Sequence, residues 1–306
     1  MTAASCKPSP RHKVLYASAL LLFCALLTLT GCRASRERRI VVGSKNFTEQ
    51  IVLAELVAQE IEAKTGLAAE RRVNLGGTLI CQQALRAGKI DLYVEYTGTA
   101  LTVVLSQPPS SDPAAVYQRV QKGYRDRFGL EVTEPLGFNN TFAIVVRGDD
   151  ARRMNLGAIS DLAAVAPHWR AGFGYEFMER PDGYRGWSDT YHLKFAEAPR
   201  IMDLGLIYRA LKEKQVDVVA GNSTDGVIAA LDLVVLEDDK RYFPPYEAVP
   251  IVRREALELH PQLRDVLRAL GGKLSEADMR RLNYAVDGEH RDVGQAVREF
   301  RRNKGL

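Results

Sequence analysis

From residue 39 to residue 96 the chain alternates between two periods. Short runs rich in β-branched residues are separated by longer stretches in which apolar residues recur every three or four positions. Residues 39–43 read as a strand, and Asn46 with Glu49 three residues on reads as a capping box opening a helix. Leu53, Leu56, Val57 and Ile61 continue that helix as an apolar stripe, and Gly66 ends it. A second strand is expected over 71–75, a second helix over 79–87 stopped by Gly88, and a third strand over 90–96. Such a βαβαβ unit has parallel strands, because a strand that returns through a helix packs back on the sheet in one direction. The topology also places a site. Ser44-Lys45-Asn46, Gly76-Gly77-Thr78 and Tyr96-Thr97-Gly98-Thr99 fall just beyond the carboxyl ends of the three strands. In an open α/β sheet that edge faces the ligand crevice, beside helix N-termini whose free N–H groups favour anions.

A second α/β series follows. Residues 107–113 form a loop, 114–128 a helix and 142–147 a strand; Ser160-Asp161 opens a helix, 170–173 is a strand and 202–214 an amphipathic helix. Strands are expected at 216–220, 233–236 and 248–252, with 242–246 breaking the pattern, and the last fifty residues are helical with starts near Arg254, Ser275 and His290. The pattern is that of two α/β domains joined by extended crossings near 140 and 245. Lobe 1 then comprises 40–141 and 246–306, lobe 2 comprises 142–245, and a ligand site lies between them.

The N-terminus constrains the compartment. Arg11, His12 and Lys13 precede the uncharged run 14–27, too short to span a bilayer with ease, and Leu29-Thr30-Gly31-Cys32 follows. This resembles the bacterial lipobox, which implies cleavage after residue 31, acylation of Cys32 and a tether over 32–39; an ordinary signal peptide with an incidental cysteine is the plainer alternative. Loss of 1–31 removes Lys7, Arg11 and Lys13, so a formal charge of +4 falls to +1, and the basic character belongs mostly to the leader. An exported chain has no access to cytoplasmic nucleotides, and the tether arginines Arg33, Arg36, Arg38 and Arg39 read as solubilising rather than nucleic-acid binding. With Cys6 and Cys24 in the leader and Cys32 as the lipid site, Cys81 is left alone and no disulfide is possible within the mature chain. Cys81 reads as core, His168, His192, His260 and His290 lack metal-ligand spacing, and Glu237-Asp238-Asp239 reads as solvated surface. Gly43-Ser44-Lys45 lacks the order of a phosphate loop.

Six blocks in register carry a family resemblance: 42–50 (VGSKNFTEQ), Gly77-Thr78, 91–99 (DLYVEYTGT), 137–141 (GFNNT), 223–226 (STDG) and 236–246 (LEDDKRYFPPY). From about residue 40 to the C-terminus the chain resembles the substrate-binding lipoproteins of osmoprotectant ABC importers, the glycine betaine, carnitine and choline binders. The resemblance implies an α/β two-domain periplasmic-binding-protein fold, type II-like, each domain a mostly parallel sheet flanked by helices, with two crossover strands. It also implies an extracytoplasmic protein that is not an enzyme, uses no cofactor or metal, captures a trimethylammonium compound between closing lobes, and passes it to an ABC permease and its ATPase.

In such proteins aromatic rings box the cation, which has no N–H to donate and is recognised by ring faces at roughly 0.5–2 kcal/mol per ring. Lysine, threonine and arginine meet a carboxylate. Carried over residue by residue, Lys45, Thr99 and Arg180, with Arg185 as fallback, match the carboxylate set, while Tyr96, Phe142 and Tyr246 match box rings; Asn140, in the 137–141 block, completes the set. Removing the Tyr96 or Tyr246 ring is expected to cost ligand binding and little fold stability. Asn222 stands where the family commonly has a tyrosine, which removes a wall and makes a larger betaine such as ergothioneine an alternative. A secreted lipoprotein enzyme on the same fold, using Lys45 or Cys81, is the alternative from another class, and a periplasmic sensor module is a third.

Overall fold

The computed structural model describes residues 39–306; the expected leader, Cys32 and the expected tether up to Arg38 lie outside the described residues. Among the described residues, ten strands form two five-stranded sheets. The first contains β1 (Arg39–Gly43), β2 (Ala68–Arg72), β3 (Leu92–Tyr96), β4 (Leu130–Val132) and β10 (Ala248–Arg253) in the order β2-β1-β3-β10-β4. The second contains β5 (Phe142–Arg147), β6 (Ala171–Phe173), β7 (Arg200–Ile201), β8 (Val218–Asn222) and β9 (Leu233–Val235) in the order β7-β6-β8-β5-β9. The predicted βαβαβ unit is present, with β1 parallel to both β2 and β3.

In each sheet a single strand runs against the rest. β10 pairs antiparallel with β3 and β4, and β5 antiparallel with β8 and β9. The reason is the path of the chain. Each of these strands is entered from the other sheet, so it starts at the edge where its neighbours end. The two crossing segments touch in passing, through an Asn139–Glu247 bridge and the Asn140 N–H donating to the Tyr246 carbonyl at 3.0 Å. Register then fixes the site, because Phe142 opens β5 opposite Asn222 at the end of β8, and Ala248 opens β10 opposite Tyr96 at the end of β3.

Three local expectations are corrected. The second strand runs Ala68–Arg72 rather than 71–75. Asn74 adopts φ 59° and Gly76 φ 137°, and the N–H groups of Asn74 and Leu75 donate to the Ser44 hydroxyl and carbonyl, so 73–76 turn over the end of β1 instead of extending the ladder. The capping box of Asn46 and Glu49 does not form: the helix Thr48–Thr65 begins after Phe47 without a side-chain cap, and Glu49 turns inward. The C-terminal region holds four helices, Arg254–Leu259, Leu263–Leu270, Glu276–Asp287 and Val293–Lys304, because Pro261 breaks what the apolar pattern reads as one. Helix Thr48–Thr65 is buried on most of its surface, including Glu60, whose carboxylate pairs with Arg301 at 2.6 Å, and Gly66 ends it in the left-handed conformation as expected.

Candidate functional site

The edge where β3 and β8 end and β5 and β10 begin encloses a cavity of about 170 Å³ between the sheets. That volume would hold on the order of ten waters, the scale of a small organic solute. Lys45, Tyr96, Thr99, Asn140, Phe142, Arg180, Asn222 and Tyr246 all line it. Arg185, the fallback for Arg180, does not.

Lys45 follows β1 directly and is 2% exposed. Its ammonium donates to Glu95 on β3, itself fully buried, and lies 5.1 Å from the centre of the Tyr96 ring. Glu95 also accepts from the Tyr93 hydroxyl at 3.1 Å and the Tyr96 N–H at 2.8 Å. A solvated loop lysine is thereby excluded. A buried ammonium persists only beside such a partner.

Tyr96 points its hydroxyl away from the cavity and donates to Glu49 at 2.6 Å. The same carboxylate accepts from Asn140 Nδ2 at 2.7 Å and Asn283 Nδ2 at 3.0 Å, and from the Thr224 hydroxyl. Four donors from four segments thus converge on Glu49, and Thr224 follows β8, so the hub ties the two sheets together. Burial pushes the Glu49 carboxyl above its ordinary value despite the four hydrogen bonds that oppose the shift.

The opposite wall is aromatic. Phe142 meets Tyr246 edge-on at 5.8 Å and Phe177 at 4.9 Å. The Arg180 guanidinium lies 4.8 Å from the Phe142 ring centre and 5.4 Å from that of Tyr246, and it grips Asp182 with two hydrogen bonds at 2.8 and 2.7 Å. Tyr246 donates its hydroxyl to Asp182 at 2.6 Å. Burial works against ionisation of Asp182, but the Arg180 charge and hydrogen bonds and the Tyr246 hydroxyl hold the carboxyl below its usual range. Gly98 lets the Tyr246 ring pack on the backbone after β3: a Cβ there would stand 2.7 Å from both the ring and the Pro245 carbonyl oxygen. Thr99, in the same turn, is buried at the cavity wall.

Asn222 closes β8 and donates weakly to Asp225 at 3.4 Å. It also lines an adjoining cavity of about 510 Å³ that includes Thr48, Tyr208, Asp225 and Asp287. Asn222, with Asn46, Phe47, Asp203 and Leu204, lines both spaces.

Several residues around the cavity escape the sequence reading. Tyr175 and Glu176 lie just past β6 and line it, Tyr175 with 64% exposure, and Phe47 stacks on Tyr96 at 6.4 Å. The carboxyl-edge rule applied to 171–173 would have found the first two. Glu49 and Asp182 carry no such signal, since nothing local distinguishes them from a helix-cap acid and a turn acid.

As to other chemistry, the Cys81 side chain is fully buried and burial pushes its thiol up to about 12, which leaves it unreactive. Among the described residues no cluster of three or more His, Cys, Asp or Glu could hold a metal ion.

Comparison with known proteins agrees with this architecture. Residues 38–303 match the family model OpuAC, described as the substrate binding domain of ABC-type glycine betaine transport systems. The carnitine transport binding protein OpuCC of Listeria monocytogenes is 37% identical over 281 residues, 91% of each chain. The ergothioneine transport permease/ergothioneine binding protein EgtU of Helicobacter pylori is 31% identical over 287 residues, 94% of this chain and 51% of that longer one. A solved structure described as a glycine betaine/carnitine/choline ABC transporter superposes with a TM-score of 0.74 at 34% identity, covering 87% of this chain and 98% of that one. The paired mixed sheets, the cavity between them and these matches make the chain a member of the substrate-binding proteins of ABC-type glycine betaine transport systems.

Proposed function

We propose that the protein captures a trimethylammonium compound such as glycine betaine, choline or carnitine between its two lobes and presents it to an ABC permease and its ATPase. The observation that carries this reading is that the cavity wall already holds cations: Lys45 lies over Tyr96, and Arg180 over Phe142 and Tyr246, at 4.8–5.4 Å from ring centres. One of those rings, Tyr246, donates its hydroxyl to the buried Asp182, whose carboxyl is held below its usual range, which enriches the ring in negative charge and strengthens its attraction for a cation. Lys45, Thr99 and Arg180 face the polar end of the ligand in this reading, and Asn140 and Asn222 complete the lining. Lobe 1 is assigned to 40–141 and 246–306 and lobe 2 to 142–245, with closure about the crossings, so that ligand binding and lobe motion are one equilibrium.

The protein acts by binding rather than by catalysis, since Lys45 is held by Glu95 and Cys81 is buried with its thiol protonated. Substrate-binding proteins of ABC importers are extracytoplasmic, and no helix among the described residues is long and apolar enough to cross a membrane. Attachment is assigned to a lipid on Cys32. Fatty-acid labelling is expected in the wild type and absent in Cys32→Ser, and equal labelling of both would refute the assignment.

The adjoining cavity, which Asn222 also lines, supports a second reading, a larger betaine of the ergothioneine type. One screen separates the two. A ligand present at 100 times its dissociation constant stabilises the fold by about 2.7 kcal/mol, so thermal unfolding with glycine betaine, choline, carnitine and ergothioneine should show a clear shift for at least one. If ergothioneine alone shifts the transition, the second reading replaces the first; if none of the four does, both fall.

A further inference from the structure

Glu176 reaches across the cleft. It lies in the short helix Tyr175–Glu179 that follows β6 of the second sheet, and its Oε1 accepts the N–H of Thr78 at 2.8 Å. Thr78 is the first residue of the nine-residue helix Thr78–Arg86, which packs with the first sheet. Gly77 admits the contact, because a Cβ there would stand 2.5 Å from that oxygen. The other carboxylate oxygen is 4.0 Å from Arg180 Nη1. Partial desolvation disfavours its charge, with 41% of the side chain still exposed, but Lys45, Arg180 and the Thr78 N–H hold the carboxyl below its ordinary value. The helix N-terminus that the topology offers to an anion is therefore taken by a carboxylate of the protein, at the wall of the cavity.

The cationic side chains nearby are engaged in the same way. Lys45 donates to Glu95, and Arg180 is held in a fork by Asp182. An incoming ligand carboxylate would thus find both cationic donors paired and a like charge in the remaining anion position. A ligand hydroxyl would find in Glu176 an acceptor.

We propose that Glu176 is a specificity-determining residue whose carboxylate makes the cavity select a net cation with a neutral polar tail, of the choline type, over a zwitterion that carries its own carboxylate. This rests on the quaternary-ammonium reading of the site and refines it.

Glu176→Gln keeps an oxygen for the Thr78 N–H and removes the charge, so it tests selectivity without deleting the contact between the sheets. Titration calorimetry of the full chain with choline and with glycine betaine gives the ratio of dissociation constants. In the wild type choline binds more tightly, and in Glu176→Gln the ratio shifts toward glycine betaine by roughly tenfold, the scale of one partly screened like-charge contact. Glu176→Asp, which keeps the charge, retains the choline preference. Glu179→Gln removes an exposed charge from the same helix without touching the cavity and leaves the ratio within about twofold. The assignment is overturned if Glu176→Gln changes the ratio by less than about threefold, or if Glu179→Gln changes it equally. Binding of both ligands with an unchanged ratio removes the role of Glu176 alone; a wild type that binds neither removes the quaternary-ammonium reading and this inference with it.

Discussion

Tyr246→Ala is expected to destabilise the unliganded protein by about 3–5 kcal/mol, the range for deleting a buried aromatic ring. Tyr246 is only 2% exposed, packs against Phe142 and the Gly98 backbone, and satisfies Asp182. The sequence expectation that this ring could be removed at little cost to the fold is therefore corrected, and the same burial applies to Tyr96, which is 5% exposed. A loss of binding in Tyr246→Ala would not by itself identify a ligand contact, since the loss of fold is large against a typical domain stability of about 5–15 kcal/mol. Tyr246→Phe separates the two effects. It retains the ring face, removes the hydrogen bond to a charged acceptor at about 1.5–3 kcal/mol of stability, and should change ligand affinity by less than about tenfold. Urea denaturation of the three proteins, followed by titration with the best ligand from the screen, provides the measurement. Destabilisation below about 1 kcal/mol in the alanine variant would mean that Tyr246 is not packed as described.

The pieces of the fold legible in the sequence are those in which one signal acts alone. β5 spans 142–147 as read, because a continuous apolar run between turn residues has no competing interpretation. β2 departs from the expected 71–75 because Val73 and Leu75 fit a strand pattern, yet the positive φ of Asn74, a tertiary choice shared with Ser44, bends them out of the ladder. The C-terminal break at Pro261 is masked in the sequence by the apolar positions on either side, Leu257 before it and Leu263, Val266 and Leu267 after it. Eight of the ten strands follow from the alternation of periods, but the short edge strands β4 and β7, of three and two residues, carry no such signal, and the reversed direction of β5 and β10 depends on where a chain enters from elsewhere, which no local window contains.

The candidate site divides along the same line. Lys45, Tyr96, Thr99 and Asn222 sit at strand ends, where topology alone would place them beside a crevice, and Phe142, at the start of β5, lies beside them for the register reason given above. The groups that set the electrostatics, Glu49, Glu95, Asp182 and Glu176, lie 2 to 64 residues in sequence from the cations or rings they serve, or reach across to the other sheet. Their chemistry comes from proximity and burial. Glu49 shows how far a local rule can mislead: residue type and spacing fit a cap, and desolvation plus four donors make it a hub.

The hub predicts the second large effect. Glu49→Leu leaves the Tyr96 hydroxyl, both buried amides and the Thr224 hydroxyl without their acceptor. At about 1–3 kcal/mol per unsatisfied buried group, moderated where water enters, the expected loss is about 4 kcal/mol or more. Glu49→Gln keeps one acceptor oxygen and should lose less, and its pH dependence identifies the cause. Because burial raises the Glu49 pKa in the folded state, folding favours the protonated carboxyl. The contribution of Glu49 to stability is then greatest below its unfolded value of about 4.5 and is lost as pH rises through the higher folded value. Glutamine does not titrate, so the stability of Glu49→Gln relative to the wild type should improve as pH rises across that window. Denaturation curves for both proteins from pH 4 upward measure the difference directly. A gap between them that narrows as pH falls and widens as it rises would mean that the four donors, rather than burial, set the charge of Glu49, and that the hub holds the sheets together as an ionised carboxylate.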